Sequence, residues 1–537
     1  MKKYLQLLFT TFIFIFLMNA SAFAVETVAA PSGKETAYPI KYICDSIGGD
    51  ISWNAKAKTV TVKYNRNTLQ LKIGSEVIIL NGKTKVLPEK ITTAAGRTLV
   101  PISVINSGLG IELSEEDCLK LIGVRFIQLL QDGGINEASG LLSNTFSKYV
   151  NHENLDSISE SISEIQFDNK NISLTRNTVH QNLSIPFKMQ QADYSYIIRF
   201  DYDGRIDELA VSLKSEAEKP ETGYSMPGYG TDGGFEEREV TIGTGVWKLP
   251  GTLTIPRGDG PFPVVILVQG SGPMDRDETS GALKPFRDLA VGLSSRKIAV
   301  LRYDKRSLEH STKVSLIGNI TMNEETEQDV HAAAEYLKTV KEVDASNIIV
   351  LGHGLGGYAL PEIMTRGKDT FKAGIAMGGG TRPIYEMYAG QLEYLVSKGL
   401  AGQKQLDYIK SQADILNSPG FNPKTPPEDY TLGNEYYYYY MKTYDFKGLA
   451  GAIRKPLLVL QGERDYQTVS GIDFNNWKEA LKNNSQAEFK LYPKLNHMFT
   501  EGEGDSTPAE YSSPSNIPEY VIDDIAEFIG KLAFDYP

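Results

Sequence analysis

One turn motif in this sequence has the spacing that presents a nucleophile, but glycine occupies the nucleophile position. Residues 352–356 read Gly-His-Gly-Leu-Gly, which matches the pattern G-x-S-x-G except at its centre. In that pattern a serine stands on a sharp turn between a strand and a helix and attacks an acyl carbon. Gly354 has no side chain and cannot attack, so the function of the chain depends on this position.

Two later residues are candidates for the acid and base of the same site. Asp465 follows an apolar run at 457–460, and a carboxylate at a strand end can orient a histidine and stabilise its protonated form. Glu463, in the same loop, is the second candidate for this role. His497 follows the run 487–491 and is the candidate general base. The chain order of nucleophile position, acid and histidine is the one that this motif requires.

A glycine-rich loop at 269–273 supplies candidates for stabilising a negatively charged oxygen. We predict an oxyanion hole formed by the backbone N–H groups of Ser271 and Leu355. A plain strand-to-loop turn is the alternative reading of this loop. No pair among the six histidines has a metal-ligand spacing such as H-x-x-x-H, so the sequence predicts no metal site and no cofactor.

The elements that must position these residues alternate between strand-like and helix-like segments from residue 236 onward. Continuous apolar runs predict strands that are buried on both faces, as in a parallel sheet; they are 264–268, 299–303, 348–351, 373–377 and 457–460. The clearest helix-like segment between them is 324–340. This alternation predicts a doubly wound, mostly parallel α/β domain whose active site lies at the carboxyl ends of the strands.

The segment of about 381–446 falls between two predicted core strands and is expected to form a helical cap over the pocket. It contains an unbroken run of five tyrosines, Tyr436 to Tyr440. Tyrosine offers a flat apolar face and a hydroxyl, which suits sugar or aromatic acyl groups. The favoured interpretation is that one side of the run packs into the cap and the other side meets solvent.

Two smaller domains are predicted before the α/β domain. Residues 38–113 alternate like strands and contain the hairpin signal Asn81-Gly82. On this signal and the strings at 51–54 and 96–101, this domain resembles the stalk module named after the copper amine oxidase N-terminal domain. It contains no histidine, so copper binding has no support here.

Residues 115–215 combine a helix-like segment with later strand-like runs, joined in one place by Asp203-Gly204. This α+β pattern suggests a cone like that of nuclear transport factor 2 and resembles a domain of unknown function that precedes secreted bacterial hydrolases. A spacer or a lid is its expected role. Residues 216–235 are rich in proline, glycine and polar residues and are predicted to be a linker.

The C-terminal region, 236–537, resembles a secreted bacterial α/β-hydrolase of the carboxylesterase and serine-aminopeptidase-like group. The matching strings are 270–273, 275–278, 302–306, 461–465 and 495–497, together with the turn motif at 352–356. The resemblance implies hydrolysis of a small carboxylic ester, or less favourably of a peptide, through an acyl-enzyme. For the charged strings 275–278 and 304–306, structural salt bridging is favoured over a role at the mouth of the site.

The N-terminus and the composition indicate where the protein works. Residues 1–24 combine a basic start, an apolar run and a small-x-small site ending at Ala24, which is typical of a cleaved signal peptide of a secreted protein. An uncleaved membrane anchor is the disfavoured alternative, because the apolar run is short. The net charge of −12 argues against nucleic acid as a partner. Cys44 and Cys118 are the only cysteines, and one disulfide between them is possible outside the cell.

Several functional hypotheses follow from Gly354. The first is an esterase-type hydrolase that carries a serine-to-glycine change, natural or engineered, and has strongly reduced activity. The second is a pseudoenzyme that binds an ester, acyl or glycan ligand at the cell surface. In the third, which is disfavoured because a water is less well positioned than a bonded hydroxyl, His497 activates a water.

A hypothesis of another class makes the N-terminal modules a stalk that binds the cell wall. The retention of Asp465 and His497 favours recent loss or residual activity over an old pseudoenzyme.

Overall fold

A computed structural model describes residues 35–94, 96–189, 192–213, 223–230 and 233–532. The predicted signal peptide and parts of the predicted linker lie outside these ranges. The chain forms two compact units that divide near residue 214, and each is described by itself. Within the described ranges, no helix combines the length and apolar character needed to cross a bilayer.

The first unit contains twelve of the strands and five of the helices named here. The strands are β1 Ala37–Pro39, β2 Asp50–Asn54, β3 Thr59–Tyr64, β4 Asn67–Lys72, β5 Val77–Leu80, β6 Lys83–Val86, β7 Thr92–Ala94, β8 Arg97–Pro101, β9 Ser173–Arg176, β10 Gln181–Met189, β11 Ala192–Phe200 and β12 Ile206–Leu213. The helices are α1 Ile40–Ile47, α2 Ile102–Leu109, α3 Glu115–Gln131, α4 Ile135–Ser139 and α5 His152–Ile162.

Three antiparallel sheets organise these elements. Strands β2 to β6 form a five-stranded meander, β1, β8 and β7 form a small sheet, and β9 to β12 form a four-stranded sheet. The predicted hairpin signal lies between β5 and β6, where Asn81 and Gly82 have φ angles of 49° and 78°. Two consecutive positive φ angles match the twist of a hairpin.

The β-rich and α+β parts of this unit contact each other. The hydroxyl of Tyr42 on α1 donates to the carbonyl of Glu137 on α4 at 3.0 Å, and Lys41 pairs with the Glu137 carboxylate at 2.9 Å. Cys44 on α1 and Cys118 on α3 are both buried free thiols. Burial raises the pKa of each thiol to about 12, so both stay protonated at neutral pH.

The second unit is built on a sheet of eight strands. The strands are β13 Phe235–Ile242, β14 Leu249–Pro256, β15 Phe262–Val268, β16 Ala299–Tyr303, β17 Val343–His353, β18 Ala373–Met377, β19 Leu457–Gly462 and β20 Ala487–Tyr492. Their order is β13-β14-β16-β15-β17-β18-β19-β20. The pairs β13/β14 and β14/β16 are antiparallel, and all others are parallel.

Helices connect and cover these strands. They are α6 Pro285–Ser295, α7 Arg306–Glu309, α8 Ser311–Ile317, α9 Gln328–Leu337, α10 Leu355–Arg366, α11 Ile384–Ser397, α12 Gln403–Asn417, α13 Glu435–Thr443, α14 Phe446–Ala452, α15 Asn475–Ala480 and α16 Glu519–Leu532. Residues 323–327 form a π-helical turn that leads into α9, within the predicted helix.

The continuous apolar runs become strands because both faces of the sheet are covered. Along β15, Val264, Ile266 and Val268 belong to one hydrophobic core, whereas Val265 and Leu267 belong to the core on the opposite face. Alternate side chains of a strand point to opposite faces, so a strand buried on both sides must be apolar throughout. The predicted doubly wound, mostly parallel α/β domain is confirmed.

Helices α11 to α14 fall between β18 and β19, where the cap is predicted, and the tyrosine run lies on α13. The hydroxyl of Tyr437 donates to Glu325 at 2.7 Å, and that of Tyr440 donates to the Glu362 carboxylate at 2.6 and 2.7 Å. Tyr438 is buried against Tyr385. These contacts make the run a structural clamp between the cap and the core. One side packs inward as predicted, but the other is only partly open to solvent, because Tyr437 and Tyr440 bond to Glu325 and Glu362.

Candidate active site

The turn motif sits at the end of β17, where the chain reverses into α10. Gly354 has φ 52° and ψ −110°, a backbone conformation that side-chain-bearing residues adopt only with strain. Its N–H donates to the carbonyl of Met377 on the neighbouring strand at 3.1 Å. At Gly356, a Cβ atom would lie 2.3 Å from the carbonyl oxygen of Val268, so only glycine permits this close approach of helix and sheet.

Asp465 and His497 are in contact at the carboxyl edge of the same sheet. The Nδ1 atom of His497 lies 2.8 Å from Oδ2 of Asp465, and both residues are buried. The other carboxylate oxygen accepts from the backbone N–H groups of Gln467 and Thr468 at 2.7 and 2.9 Å. Glu463, the second candidate acid, is exposed, whereas Asp465 is placed to orient the imidazole.

The electrostatics of this pair favour a carboxylate. Burial alone would raise the pKa of Asp465, but the charge and hydrogen bond of His497, together with hydrogen bonds from Thr468, hold that pKa below its ordinary value. Asp465 therefore stays ionised at neutral pH and can stabilise a protonated His497.

The structure brings position 354 next to the imidazole. A Cβ atom built on Gly354 would lie 3.4 Å from Nε2 of His497 and 3.5 Å from Cα of Gly270. These are ordinary van der Waals distances, so a small side chain fits. A hydroxyl one bond beyond that Cβ could reach hydrogen-bonding distance of Nε2.

The predicted oxyanion donors lie in the same cleft. Ser271 and Leu355 line it together with Gly354 and His497. Leu355 is the first residue of α10, and the first N–H groups of a helix have no partner within the helix. The hydroxyl of Ser271 hydrogen-bonds Tyr388, whose pKa burial raises to about 12. The Ser271 side chain is therefore engaged with the cap.

A histidine–glutamate pair beside the site was missed by the sequence interpretation. Nδ1 of His353 lies 3.0 Å from Oε1 of Glu278, and the ring Nε2–H donates to the carbonyl of His497 at 2.9 Å. The same Glu278 oxygen accepts from the N–H of Gly270 at 2.6 Å. Burial would lower the pKa of His353, but Glu278 outweighs it and raises that pKa above the ordinary value. The pair fixes the glycine-rich loop against the edge that carries His497.

The other charged strings form buried ion pairs. Arg276 pairs with Asp304 at 2.9 Å, Arg306 pairs with Asp329, and the Nζ of Lys305 donates to the carbonyl of Gly270 at 2.8 Å. Apart from Glu278, these residues do not line the cleft. Their role agrees with the salt-bridging interpretation. No group of three potential metal ligands occurs within the part of the chain that the structure describes.

A first prediction concerns the strained turn. We expect Gly354→Ala to lower the free energy of unfolding by about 1–3 kcal/mol, because an L residue at this φ and ψ is strained even where space is available. Urea denaturation followed by circular dichroism measures the change. Gly399→Ala is the matched control: this glycine also has positive φ, 70°, has open space around it and does not line the cleft. We expect a similar loss there without any effect on ligand binding in the cleft.

Comparisons with known proteins show what the chain is similar to. Residues 17–118 match the copper amine oxidase N-terminal domain family, and residues 307–529 match the prolyl oligopeptidase family. The chain is 33% identical to esterase EstD of Thermotoga maritima over 410 residues, which span 76% of this chain and 94% of that protein.

Solved esterase structures also resemble the chain at low identity. An esterase of Pyrococcus furiosus is 16% identical, with coverage of 56% of this chain and 91% of that chain and a TM-score of 0.36. Est1E from Butyrivibrio proteoclasticus is 17% identical, with coverage of 55% and 99% and a TM-score of 0.35.

The eight-stranded sheet, the turn after β17 and the edge that carries Asp465 and His497 define an α/β-hydrolase. The match to EstD is 33% identical and covers 94% of that protein, which is enough to assign the chain to a family. The chain belongs to the α/β-hydrolase family of that esterase.

Proposed function

We propose that this protein is an esterase-type α/β-hydrolase whose catalytic edge is complete except for the nucleophile, so that it hydrolyses small carboxylic esters weakly. One observation carries the proposal: His497 is bonded to Asp465 while its free Nε2 faces position 354 at 3.4 Å from a Cβ placed there. A structure that had lost catalysis long ago would have no need to keep this pair buried and aligned.

The chemistry would follow the serine-hydrolase scheme when a hydroxyl is present at position 354. His497 takes the hydroxyl proton while the oxygen bonds to the acyl carbon, and the N–H groups of Ser271 and Leu355 stabilise the oxyanion. The carbon–oxygen bond to the alcohol then breaks, and His497 returns the proton to the leaving oxygen. Water repeats the sequence and releases the acid. With Gly354, only the oxyanion donors and the base remain.

A second candidate function is a binding protein for an ester, acyl or glycan ligand that does not turn it over. The missing side chain at Gly354 favours it, because the cleft persists beside a position that cannot attack. In that case the N-terminal modules would hold the protein at the cell surface.

Labelling with a fluorophosphonate, which forms a covalent adduct with an activated hydroxyl, tests the proposal. We expect intact-mass analysis to show one adduct on Gly354→Ser and none on the parent chain. A folded Gly354→Ser variant that takes up no label would overturn the esterase proposal. If that variant nevertheless bound 4-nitrophenyl acetate as tightly as the parent, the binding-protein function would be supported instead.

We further propose that the protein is exported and that its signal peptide is removed after Ala24. The basic start, apolar run and small-x-small site at 1–24 support this. N-terminal sequencing of the exported protein should begin at Val25. A chain that retained residues 1–24 would contradict cleavage.

A further inference from the structure

Arg382 is a charged residue in the wall of the cleft that the reaction scheme does not use. It lies between β18 and the first cap helix, α11, and lines the cleft together with Gly354 and His497. Its side chain is 23% exposed, so it is not fully enclosed by protein at the wall of the cleft.

A buried carboxylate holds this guanidinium in one orientation. Nη2 and Nε of Arg382 lie 2.7 and 3.2 Å from the two oxygens of Asp473, and Asp473 is fully buried. The carboxylate also accepts from the N–H and hydroxyl of Thr381 at 3.1 and 2.7 Å and from the N–H of Val469 at 3.1 Å. A side chain fixed in this way loses little conformational entropy when a ligand binds.

The third guanidinium nitrogen is left for a ligand. Among the described residues, no hydrogen-bond acceptor is recorded for Nη1 of Arg382, whereas both other nitrogens bond to Asp473. Three neutral donor groups also bond to Asp473 and help to fix its carboxylate, which in turn fixes the guanidinium.

Most residues that line the cleft are uncharged, so the guanidinium of Arg382 differs from them in carrying a positive charge. Uncharged residues that line the same cleft include Ile384, Met387, Gln391, Gln467 and Met498. The acidic residue in the lining, Glu278, is already paired with His353. A ligand in this cleft therefore meets apolar and amide surface and the fixed guanidinium of Arg382, whose Nη1 has no acceptor among the described residues.

We propose that Arg382 is a specificity residue that binds a carboxylate on the acyl part of the substrate, so that the preferred esters are monoesters of short dicarboxylic acids. This inference rests on the proposed esterase function and names its substrate class. A charge-assisted hydrogen bond is about twice as strong as one between neutral groups, and partial burial strengthens it further. An apolar chain between the ester and the carboxylate would cross the methionine-lined wall.

Binding to the parent chain tests the inference without any turnover. The probes are monomethyl glutarate and methyl pentanoate, which have acyl chains of equal carbon number and differ in the terminal carboxylate. By calorimetry, we expect the glutarate probe to bind at least about tenfold more tightly, which corresponds to about 1.4 kcal/mol. Equal affinities would overturn the inference.

Variants assign the preference to Arg382. Arg382→Gln combined with Asp473→Asn removes the cation without leaving an unpaired buried carboxylate. We expect this double variant to bind the glutarate probe about tenfold less tightly and the pentanoate probe unchanged. Arg454→Gln, an exposed arginine elsewhere, is the matched control. Thermal unfolding verifies that the double variant is folded; if it is not, Arg382→Lys, which keeps the charge opposite Asp473, replaces it and should weaken only glutarate binding.

Turnover separates this inference from the proposed function. In the Gly354→Ser background, we expect the mono(4-nitrophenyl) ester of glutaric acid to have a KM about tenfold below that of 4-nitrophenyl pentanoate, with similar kcat. Activity on both esters with equal KM would overturn the carboxylate preference and leave the esterase function standing. Absence of activity on both, together with tighter glutarate binding by the parent, would overturn the esterase function alone.

Discussion

Gly354→Ser is expected to raise kcat/KM for 4-nitrophenyl butyrate at least about a thousandfold over the parent chain. In subtilisin, loss of the nucleophile lowers kcat by about a millionfold, and an oxyanion hole with substrate binding leaves about a thousandfold catalysis over water. The expected gain corresponds to at least about 4 kcal/mol of transition-state stabilisation. Position 354 can take the side chain, because the Cβ site lies 3.4 Å from Nε2 of His497.

Initial rates measured by release of 4-nitrophenolate check this expectation. Gly354→Ala is the matched control, since it introduces the same backbone strain but no hydroxyl. We expect its kcat/KM to be as low as that of the parent. Equal and easily measured turnover by all three proteins would show that the hydroxyl is not needed and would favour a water activated directly by His497.

Asp465→Asn in the Gly354→Ser background is expected to lower kcat about ten-thousandfold. The corresponding aspartate-to-asparagine change in a serine protease has an effect of this size, because the histidine is left in the wrong tautomer. Here the carboxylate lies 2.8 Å from Nδ1 of His497, and its lowered pKa keeps it ionised. The amide of asparagine can instead donate to Nδ1, which leaves Nε2 protonated and unable to accept the hydroxyl proton.

Glu463→Gln is the control for this second prediction. Glu463 stands in the same loop but is exposed, so its neutralisation should change kcat less than about twofold. Equal losses from the two substitutions would show that the loop as a whole is being disturbed. An unchanged kcat in Asp465→Asn would remove Asp465 from the proposed acid–base pair.

The sequence was informative about which residues lie at this edge of the sheet, because parallel strands bring their carboxyl ends together. Position 354, Asp465 and His497 each follow an apolar run, so local patterns were enough to place them near one another. Apart from Asp465 and His497, the sequence did not predict which polar side chains pair with one another. Arg382 and Asp473 are 91 residues apart, and His353 occupies a variable position of its motif.

The pairing of these side chains depends on how the cap and the loops pack in three dimensions. The spacing of apolar residues along the sequence contains no information about that packing. The first unit posed a similar difficulty. Local turn signals located the hairpin at Asn81-Gly82, but the contact between Tyr42 and Glu137 joins segments whose patterns are unrelated. Short-range signals therefore predicted elements well and tertiary contacts poorly.

The tyrosine clamp has a consequence for how molecules enter and leave. Tyr437 binds Glu325, the carboxylate of Glu325 lies 3.6 Å from Nζ of Lys305, and that ammonium group holds the carbonyl of Gly270. The cap and the glycine-rich loop at 269–273 are thus connected through Glu325 and Lys305. Movement of the cap away from the sheet would therefore displace this loop. We therefore expect ligands to enter and leave the cleft through rotamer changes of single side chains. Such changes admit slender, flexible molecules and exclude rigid, bulky ones.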